Sequence, residues 1–352
     1  MNRAELRSPS FQQRSLFGTL HMINAVERCL ARSILATFLA LLATVSGPVD
    51  RARSETVRVM TFNLWHGGDA GKQSLEQTAA VIRASRADIV GLQETHGLAP
   101  EGERRPNRAK ELATSLGWHY LDQGGRTGII SRYRIANATP KQWGAQLTLS
   151  SGRPFYVFNV HLAASPYQPY QLVQIPYGDA DFISTEDEAV KAAIETRGTK
   201  VAEMLAELKA SVPDDAPVAI TGDFNEPSHL DWTASAVKHD CCPLEVCWPS
   251  THAVALAGFS DAYRSVHPNP VERRGLTWTP TTQINDPDDR HDRIDFVFVG
   301  HLEHCDARLN DAKTIGESDE FADIVVTPFP SDHRAVVAEI VFPRDQKEPQ
   351  GN

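Results

Sequence analysis

The stretch Val218-Ala-Ile-Thr-Gly-Asp-Phe-Asn225 decides the fold, because it joins a short apolar run to a carboxylate and a carboxamide. Apolar and β-branched residues followed directly by Gly and Asp are typical of a strand that ends at a loop. Side chains alternate along an extended chain, so Asp223 and Asn225 are predicted to point to the same side. One strand end therefore presents two polar groups together.

Five other short runs have a similar composition. They are 57–62, 88–92, 155–160, 293–299 and 335–341. Their length and their β-branched and aromatic content favour strands, and runs that are apolar on both faces are expected where a sheet is covered on each side. Helical patterns lie at 74–85 and 107–116, and a longer one opens at Thr185 with Gly198 as its weak point. We predict a layered α/β domain.

Polar side chains recur where the predicted strands end. Besides the pair in the opening stretch they are Asn63, Glu94, His161, Asp332 and His333. Any one of them is explained by an ordinary strand-to-loop transition. Seven such positions together, with carboxamides, carboxylates and imidazoles, favour one shared cleft at an edge of the sheets.

A cluster of this kind suits the hydrolysis of phosphate esters. Mg²⁺ is a hard ion that prefers oxygen ligands, commonly one or two carboxylates with waters and phosphate oxygens. The reaction needs charge neutralisation, an aligned water and a proton source for the leaving group. Carboxylates, amides and histidines supply those functions together.

Seven motifs in order give the chain a resemblance to a known family. They are Thr61-Phe-Asn-Leu, Gly91-Leu-Gln-Glu, Gly128-Ile-Ile-Ser-Arg-Tyr, Asn159-Val-His-Leu, Gly222-Asp-Phe-Asn, Arg293-Ile-Asp-Phe-Val-Phe and Ser331-Asp-His-Arg. In this order they closely resemble the endonuclease/exonuclease/phosphatase superfamily. The resemblance implies a four-layer α-β-β-α sandwich, in which two mixed β-sheets pack face to face with helices outside. It also implies a Mg²⁺-dependent phosphoric ester hydrolase over residues 55–343, with Mn²⁺ or Ca²⁺ as other candidate ions.

The same resemblance assigns a role to eight side chains. The metal-binding residues would be Asn63, Glu94 and Asp332, and the catalytic residues would be His161, Asp223, Asn225, Asp295 and His333. Asp223 would deprotonate the attacking water, His333 would donate to the phosphate, and Asp295 would orient His333. Two alternatives stay open: Asp295 could be a satisfied buried carboxylate, and His161 an ordinary strand-end residue.

The N-terminal segment predicts export. Arg28 and Arg32 precede an apolar run at 34–45 that ends in Ser46-Gly47, the pattern of a secretory signal over residues 1–47, with Met22 as a second candidate start. The alternatives are an uncleaved membrane anchor and a buried helix. We therefore expect a secreted or periplasmic protein with no stable membrane span after cleavage.

The charge balance counts against a nonspecific nuclease. The chain has a formal net charge of −10, and removing the five Arg and two Glu of the leader leaves −13. Proteins that grip nucleic acid through its phosphates usually present a basic face. Nucleic acid is therefore a possible partner that is not favoured, and the oligomeric state is not predicted.

Two insertions and a polar tail complete the domain plan. Insertions are expected near 165–197 and 239–258, and a disordered tail at 344–352. In an exported chain the four cysteines Cys241, Cys242, Cys247 and Cys305 favour disulfides, with a zinc site using His239 or His252 as the rival.

Three functions compete. The first is a secreted phosphodiesterase or phosphatase acting on a lipid headgroup or small organophosphate. The second is a secreted deoxyribonuclease-like endonuclease, and the third is a catalytically silent binding protein with the same fold. Six aromatic residues could line the substrate rim, although the tryptophans could equally be core residues, so they are not assigned to the site. They are Trp65, His66, Tyr167, Tyr170, Tyr177 and Trp278.

Overall fold

The structure is a computed structural model that describes residues 54–343. The predicted signal segment at 1–47 and the predicted tail at 344–352 lie outside the described residues. Within the described range, no helix is long and apolar enough to cross a membrane.

Two mixed sheets form the centre of the described domain. Their strands are β1 (Glu55–Asn63), β2 (Ile89–Gln93), β3 (His119–Gly124), β4 (Thr127–Ser131), β5 (Arg134–Ala138), β6 (Gly144–Thr148), β7 (Pro154–His161), β8 (Val218–Asp223), β9 (Ser260–Asp261), β10 (Asp295–Gly300), β11 (Arg308–Gly316), β12 (Ile324–Val325) and β13 (Ala335–Phe342). The seven-stranded sheet has the order β12-β11-β13-β1-β2-β4-β3, and the six-stranded sheet β5-β6-β7-β8-β10-β9. The pairs β1–β2, β7–β8 and β11–β12 are parallel.

The helices lie between the strands in sequence. They are α1 (Leu75–Ser85), α2 (Arg108–Leu116), α3 (Gln168–Leu172), α4 (Glu186–Ala193), α5 (Thr199–Ser211), α6 (Ala234–Lys238), α7 (Pro249–Leu256) and α8 (Ala262–Val266). The predicted long helix begins with a complete capping box between Thr185 and Glu188. A π-helical turn at Ile194–Gly198 separates α4 from α5, and it contains the predicted weak point Gly198.

Alternation along the strands divides the apolar residues into three clusters, one between the two sheets and one on the outer face of each sheet. Val59 of β1, Val157 of β7 and Val297 of β10 belong to the cluster between the sheets. The neighbouring outward positions pack under helices, with α1 and α2 covering the first sheet and α5 and α7 covering the second. Two packed sheets with helices on both outer faces confirm the predicted four-layer α-β-β-α sandwich.

The space between the sheets becomes polar toward one end. The Asn159 amide oxygen accepts from Gln93 Nε2 at 2.6 Å and from Thr221 Oγ1 at 3.2 Å, which joins the two sheets through buried side chains. Gly91 is required beside them, because a Cβ there would lie 1.9 Å from Thr221 Oγ1. The same inward-facing rows of side chains run from the apolar cluster, through this layer of amide side chains, to the candidate site.

The predicted disulfides are not supported. All four cysteines of the described range are free thiols, and none belongs to a cluster of three or more metal-ligating side chains. Cys242 is buried in a cluster with Trp232 and Trp248, whereas Cys305 packs against the core between the sheets. The expectation of disulfides rested on the number of cysteines, and neither that number nor their spacing records which cluster each thiol joins.

Candidate active site

One pocket at the polar end of the sandwich collects most of the predicted site residues. Its volume is about 220 Å³. Six of the eight line it directly: Glu94, His161, Asp223, Asn225, Asp332 and His333. Asn63 and Asp295 lie behind this surface and contact lining residues through hydrogen bonds. The structure therefore brings all eight side chains into one region, while their individual roles stay predictions.

Strand register places the catalytic candidates side by side. In the six-stranded sheet, His161 of β7 is the register partner of Asp223 of β8, and Asp223 is the partner of Asp295 of β10. These positions continue the inward-facing rows, so all three side chains point between the sheets. Asn63 reaches the same place from β1 of the other sheet, where its Nδ2 donates to Asp223 Oδ2 at 2.9 Å.

His333 lies between two carboxylates. Its Nδ1 is 2.9 Å from Asp295 Oδ2, and its Nε2 is 3.8 Å from Asp223 Oδ2. Burial opposes the charged imidazolium, but the carboxylates of Asp295 and Asp223 outweigh it and raise the pKa of His333 to about 10. His333 is thus held protonated at neutral pH, with Asp295 fixing its orientation.

Two further polar groups surround Asp223. His161 is the last residue of β7, and its Nε2 is 3.5 Å from Asp223 Oδ2. The backbone N–H of Asn225 donates to Asp223 Oδ1 at 2.8 Å, and the Asn225 side chain donates to the Leu162 carbonyl at 3.1 Å. Asn225 has a positive φ of 49°, a conformation that a non-glycine residue adopts at some cost. The carboxylate of Asp223 is therefore oriented from several directions.

Glu94 and Asp332 form the acidic side of the pocket. The backbone N–H of His66 donates to Glu94 Oε2 at 3.0 Å. Burial tends to raise the pKa of Glu94, but this hydrogen bond and the nearby His161 lower it overall. At Asp332, burial raises the pKa to about 7, the charge of Glu94 adds to the rise, and His333 opposes it. The two carboxylates are thus close enough to repel each other.

This acidic side fits a hard divalent cation. Asp332 Oδ1 is buried and has no hydrogen-bond partner, and Glu94 offers a second carboxylate beside it. Two carboxylates are what Mg²⁺ commonly takes from a protein. Asn63 is less available, because its Oδ1 accepts from the Trp65 N–H at 3.0 Å and its Nδ2 is engaged with Asp223.

A second and more closely spaced group of carboxylate and imidazole side chains has a different chemistry from the Glu94–Asp332 side. Asp223, Asp295 and His333 have ligand atoms within 4.8 Å of one another, the one group of three or more such side chains in residues 54–343. His333 Nδ1 is already hydrogen-bonded to Asp295, and imidazole nitrogen is a poor match for Mg²⁺. We interpret this group as a hydrogen-bonded acid–base array rather than as the ion site.

Aromatic residues that the site prediction omitted form one side of the pocket. We call Trp65, Tyr167, Tyr170, Tyr177 and Trp278 the aromatic wall. Tyr170 lies between the other two tyrosines, with ring centroids 4.9 Å from Tyr167 and 5.6 Å from Tyr177. The sequence offered these residues as candidates for the substrate rim, but composition alone does not separate a rim from a core.

Two aspartates of the acid-rich stretch Asp286-Pro-Asp-Asp-Arg-His-Asp292 hold the tyrosines. The Tyr167 hydroxyl donates to Asp292 Oδ2 at 2.9 Å, and the Tyr170 hydroxyl donates to Asp289. Asp292 is buried, and it also accepts from Trp232 Nε1 at 3.2 Å. This stretch is consequently engaged within the protein through Asp289 and Asp292.

Buried Arg197 fixes the start of the same wall. It lies in the π-helical turn, donates to Gln168 Oε1 at 2.6 Å and to the Pro166 carbonyl at 3.0 Å, and is 4.0 Å from Glu226 Oε2. Because Pro166 and Gln168 flank Tyr167, this arginine ties the tyrosine-bearing segment to the helices outside the second sheet. No feature of the sequence pointed to Arg197.

Comparisons with known proteins identify the family and agree with the fold. A family model described as the endonuclease/exonuclease/phosphatase family matches residues 60–333. An uncharacterized protein of Caenorhabditis elegans is 28% identical over 270 residues, covering 70% of this chain and 79% of its own length. The crystal structure of an endonuclease/exonuclease/phosphatase from Beutenbergia cavernae is similar with a TM-score of 0.51 and 19% identity, over 82% of this chain and 72% of that one. The structural likeness bears on the fold alone.

Proposed function

This chain belongs to the endonuclease/exonuclease/phosphatase family, whose members are hydrolases acting on phosphate esters, and on that premise we propose that it is an exported, divalent-metal-dependent phosphodiesterase or phosphatase acting on a lipid headgroup or a small organophosphate. The observation that carries the proposal is the placement of paired carboxylates opposite a buried Asp–His array in one pocket of about 220 Å³.

Glu94 and Asp332 would hold the cation, which we propose to be Mg²⁺, with Mn²⁺ or Ca²⁺ as substitutes. The unpartnered Asp332 Oδ1 supports this assignment, because a buried carboxylate oxygen without a partner is otherwise costly. When bound, such an ion would neutralise charge on the phosphoryl oxygens.

Asp223 is the proposed general base. Asn63 Nδ2 and the Asn225 N–H donate to different oxygens of its carboxylate, so each oxygen keeps a second lone pair that can accept a proton from water. Asn225 would also contact the nucleophile or a phosphoryl oxygen from its position in the pocket lining.

His333 is the proposed donor to the phosphoryl group. The neighbouring Asp295 keeps it charged and correctly oriented, so no reorganisation is needed as negative charge develops in the transition state. His161, 3.5 Å from Asp223, would donate a second hydrogen bond. The assembly of all eight side chains argues against a catalytically silent binding protein.

Charge favours a small substrate over nucleic acid. The residues that line the pocket include no Lys or Arg, and the chain is acidic as a whole. Affinity for nucleic acid rests largely on basic contacts with phosphates. A deoxyribonuclease-like activity is therefore the alternative.

A substrate screen with two variants tests the proposal. Wild type, Asp223→Ala and His333→Ala would be assayed with a chromogenic bis-phosphodiester, sphingomyelin and plasmid DNA, each with Mg²⁺ and with EDTA. We expect Mg²⁺-dependent hydrolysis and a loss of at least about a hundredfold in turnover for both variants, since acid–base groups contribute about 10²–10⁴. The matched controls Asp311→Ala and His304→Ala change surface residues outside the pocket and should retain activity.

Two outcomes would contradict the proposal. Retained activity in both pocket variants would remove the mechanism, and catalytic cleavage of plasmid DNA in preference to the other substrates would favour the nuclease. Export is tested separately by sequencing the N-terminus of the protein recovered outside the cytoplasm. A chain that stays in the cytoplasm with residues 1–47 intact would refute that part.

A further inference from the structure

The aromatic wall is an ordered surface rather than a collection of loose rim residues. Tyr167 and Tyr170 are only 5% and 8% exposed, whereas Tyr177 is 43% exposed at the mouth of the pocket. Trp278 Nε1 lies 3.3 Å from the Tyr170 hydroxyl, and the Trp278 ring centroid is 4.9 Å from that of His333. The wall thus begins beside the proposed phosphoryl donor and extends outward to solvent.

Carboxylates behind the wall make two of its rings electron-rich. The hydroxyls of Tyr167 and Tyr170 donate to Asp292 and Asp289. Burial raises the pKa of both phenols, so they stay neutral and act as donors. A phenol that donates to an anion carries more electron density in its ring, which strengthens the negative potential at the ring face.

The pocket in front of the wall has an excess of negative charge. Its lining contains Glu94, Asp223 and Asp332, with Asp295 directly behind, and no Lys or Arg. One bound divalent cation and the His333 imidazolium would together supply three positive charges, against four negative charges on these carboxylates. A phosphate ester bound there adds a further negative charge, so the pocket favours a compensating cation on the substrate and disfavours a second phosphate.

We propose that this pocket is specific for phosphate esters whose alcohol carries an alkylated ammonium group, and that the ammonium binds against the aromatic wall. The inference rests on the proposed function, because it names the substrate class of the same site. Electron-rich rings together with surrounding carboxylates are the chemistry that recognises a quaternary ammonium ion. A flat neutral group could stack on the rings, but it would gain nothing from the carboxylates.

A pair of matched esters isolates the effect of charge. The p-nitrophenyl ester of phosphocholine and its 3,3-dimethylbutyl analogue have the same shape, but the analogue has carbon in place of the ammonium nitrogen. We expect kcat/KM to be about tenfold higher for the charged ester, the size of a desolvated cation–π contact with added electrostatic attraction. Equal rates for the two esters, or faster hydrolysis of thymidine 5′-p-nitrophenyl phosphate than of either, would overturn the inference.

Variants at the mouth of the pocket locate the contact. Tyr177→Leu should reduce the preference for the charged ester to about threefold or less, whereas Tyr177→Phe keeps a ring and should keep most of the preference. Phe182→Leu is the control, because Phe182 is an equally exposed aromatic residue nearby in the chain that does not line the pocket. An equal change of preference in Tyr177→Leu and Phe182→Leu would contradict the assignment to the wall.

A binding measurement separates failure of the inference from failure of the proposed function. Titration calorimetry with choline phosphate and with 3,3-dimethylbutyl phosphate would be run on the full chain and on Asp223→Ala. Tighter binding of choline phosphate supports the inference even if no ester is turned over, and equal binding refutes it even if the esters are hydrolysed. Comparing glycerophosphocholine with phosphatidylcholine vesicles then distinguishes a soluble source of the ammonium group from a lipid headgroup.

Discussion

Replacing Asp295 by Asn changes the charge beside His333 while leaving the shape of the site almost unchanged. Asp295 is completely buried in β10, and its Oδ2 is 2.9 Å from His333 Nδ1. The pKa of His333, about 10 against an ordinary value of 6.5, differs by about 3.5 units, which corresponds to about 5 kcal/mol in favour of the imidazolium. The carboxylates of Asp223 and Asp332 contribute part of this increase in the pKa of His333. Asp295→Asn should therefore lower the pKa of His333 by at least about one unit rather than by the whole difference.

The direction of the pH effect follows from the proposed role of His333 as a donor. Activity requires the protonated ring, so it falls as the pH rises through the pKa of His333. In wild type this alkaline limb should lie above about pH 8, and in Asp295→Asn it should move to lower pH. We expect kcat/KM at neutral pH to fall by about 10²–10⁴, because both the charge and the orientation of the ring are lost.

The assay is kcat/KM against pH for wild type, Asp295→Asn, His333→Gln and the double variant, with saturating Mg²⁺. Groups that act as a unit are strongly non-additive, so the double variant should be about as impaired as the worse single one. Asp311→Asn, which alters a surface ion pair with Lys313, is the control. Losses that simply multiply, or an alkaline limb that stays in place in Asp295→Asn, would refute the reasoning.

Two more predictions concern the ion site and the support of the wall. The pKa of Asp332 is raised from 3.8 to about 7 in the folded chain, so the native state binds the carboxyl proton more tightly than the unfolded state does. The metal-free protein should therefore lose stability as the pH rises from about 4 to about 7. Mg²⁺ binds the ionised carboxylate, so adding Mg²⁺ should increase the Tm more at about pH 8 than at about pH 5. An equal increase in Tm at both pH values, or the same pH dependence in Asp332→Asn, would contradict this prediction. Removing the buried Arg197 side chain in Arg197→Ala leaves Glu226 buried without its cation and should cost about 3–5 kcal/mol in urea unfolding, against at most about 1 kcal/mol for the exposed Arg83→Ala. A loss at Arg197 no larger than that at Arg83 would show that the pair does not stabilise the fold.

The strand ends were predictable from the sequence because their signal is local. Alternation places Asp223 on the inward face whatever its neighbours are, and the apolar run before it predicts the strand that the structure has at Val218–Asp223. The same holds for His161 at the end of β7 and for Asn63 at the end of β1. The cap of α1 is local as well, since the Ser74 side chain accepts from the N–H of Gln77 three residues further on.

The aromatic wall could not be predicted in this way. Tyr167 and Asp292 are 125 residues apart, and Tyr170 and Asp289 are 119 apart. Nothing in either segment alone distinguishes a tyrosine that donates to a buried carboxylate from one that fills the core.

The sequence by itself determined which faces of the strands are apolar, where the strands end and which polar residues stand at those ends, because side-chain alternation and turn chemistry act over a few residues. Only the tertiary structure decided which strand ends meet, which carboxylate lies 2.9 Å from His333 and which thiols stay apart. The physical reason is that the register of paired strands and the burial of a charge depend on contacts between distant segments, and these contacts set the pKa of His333 and the shape of the pocket.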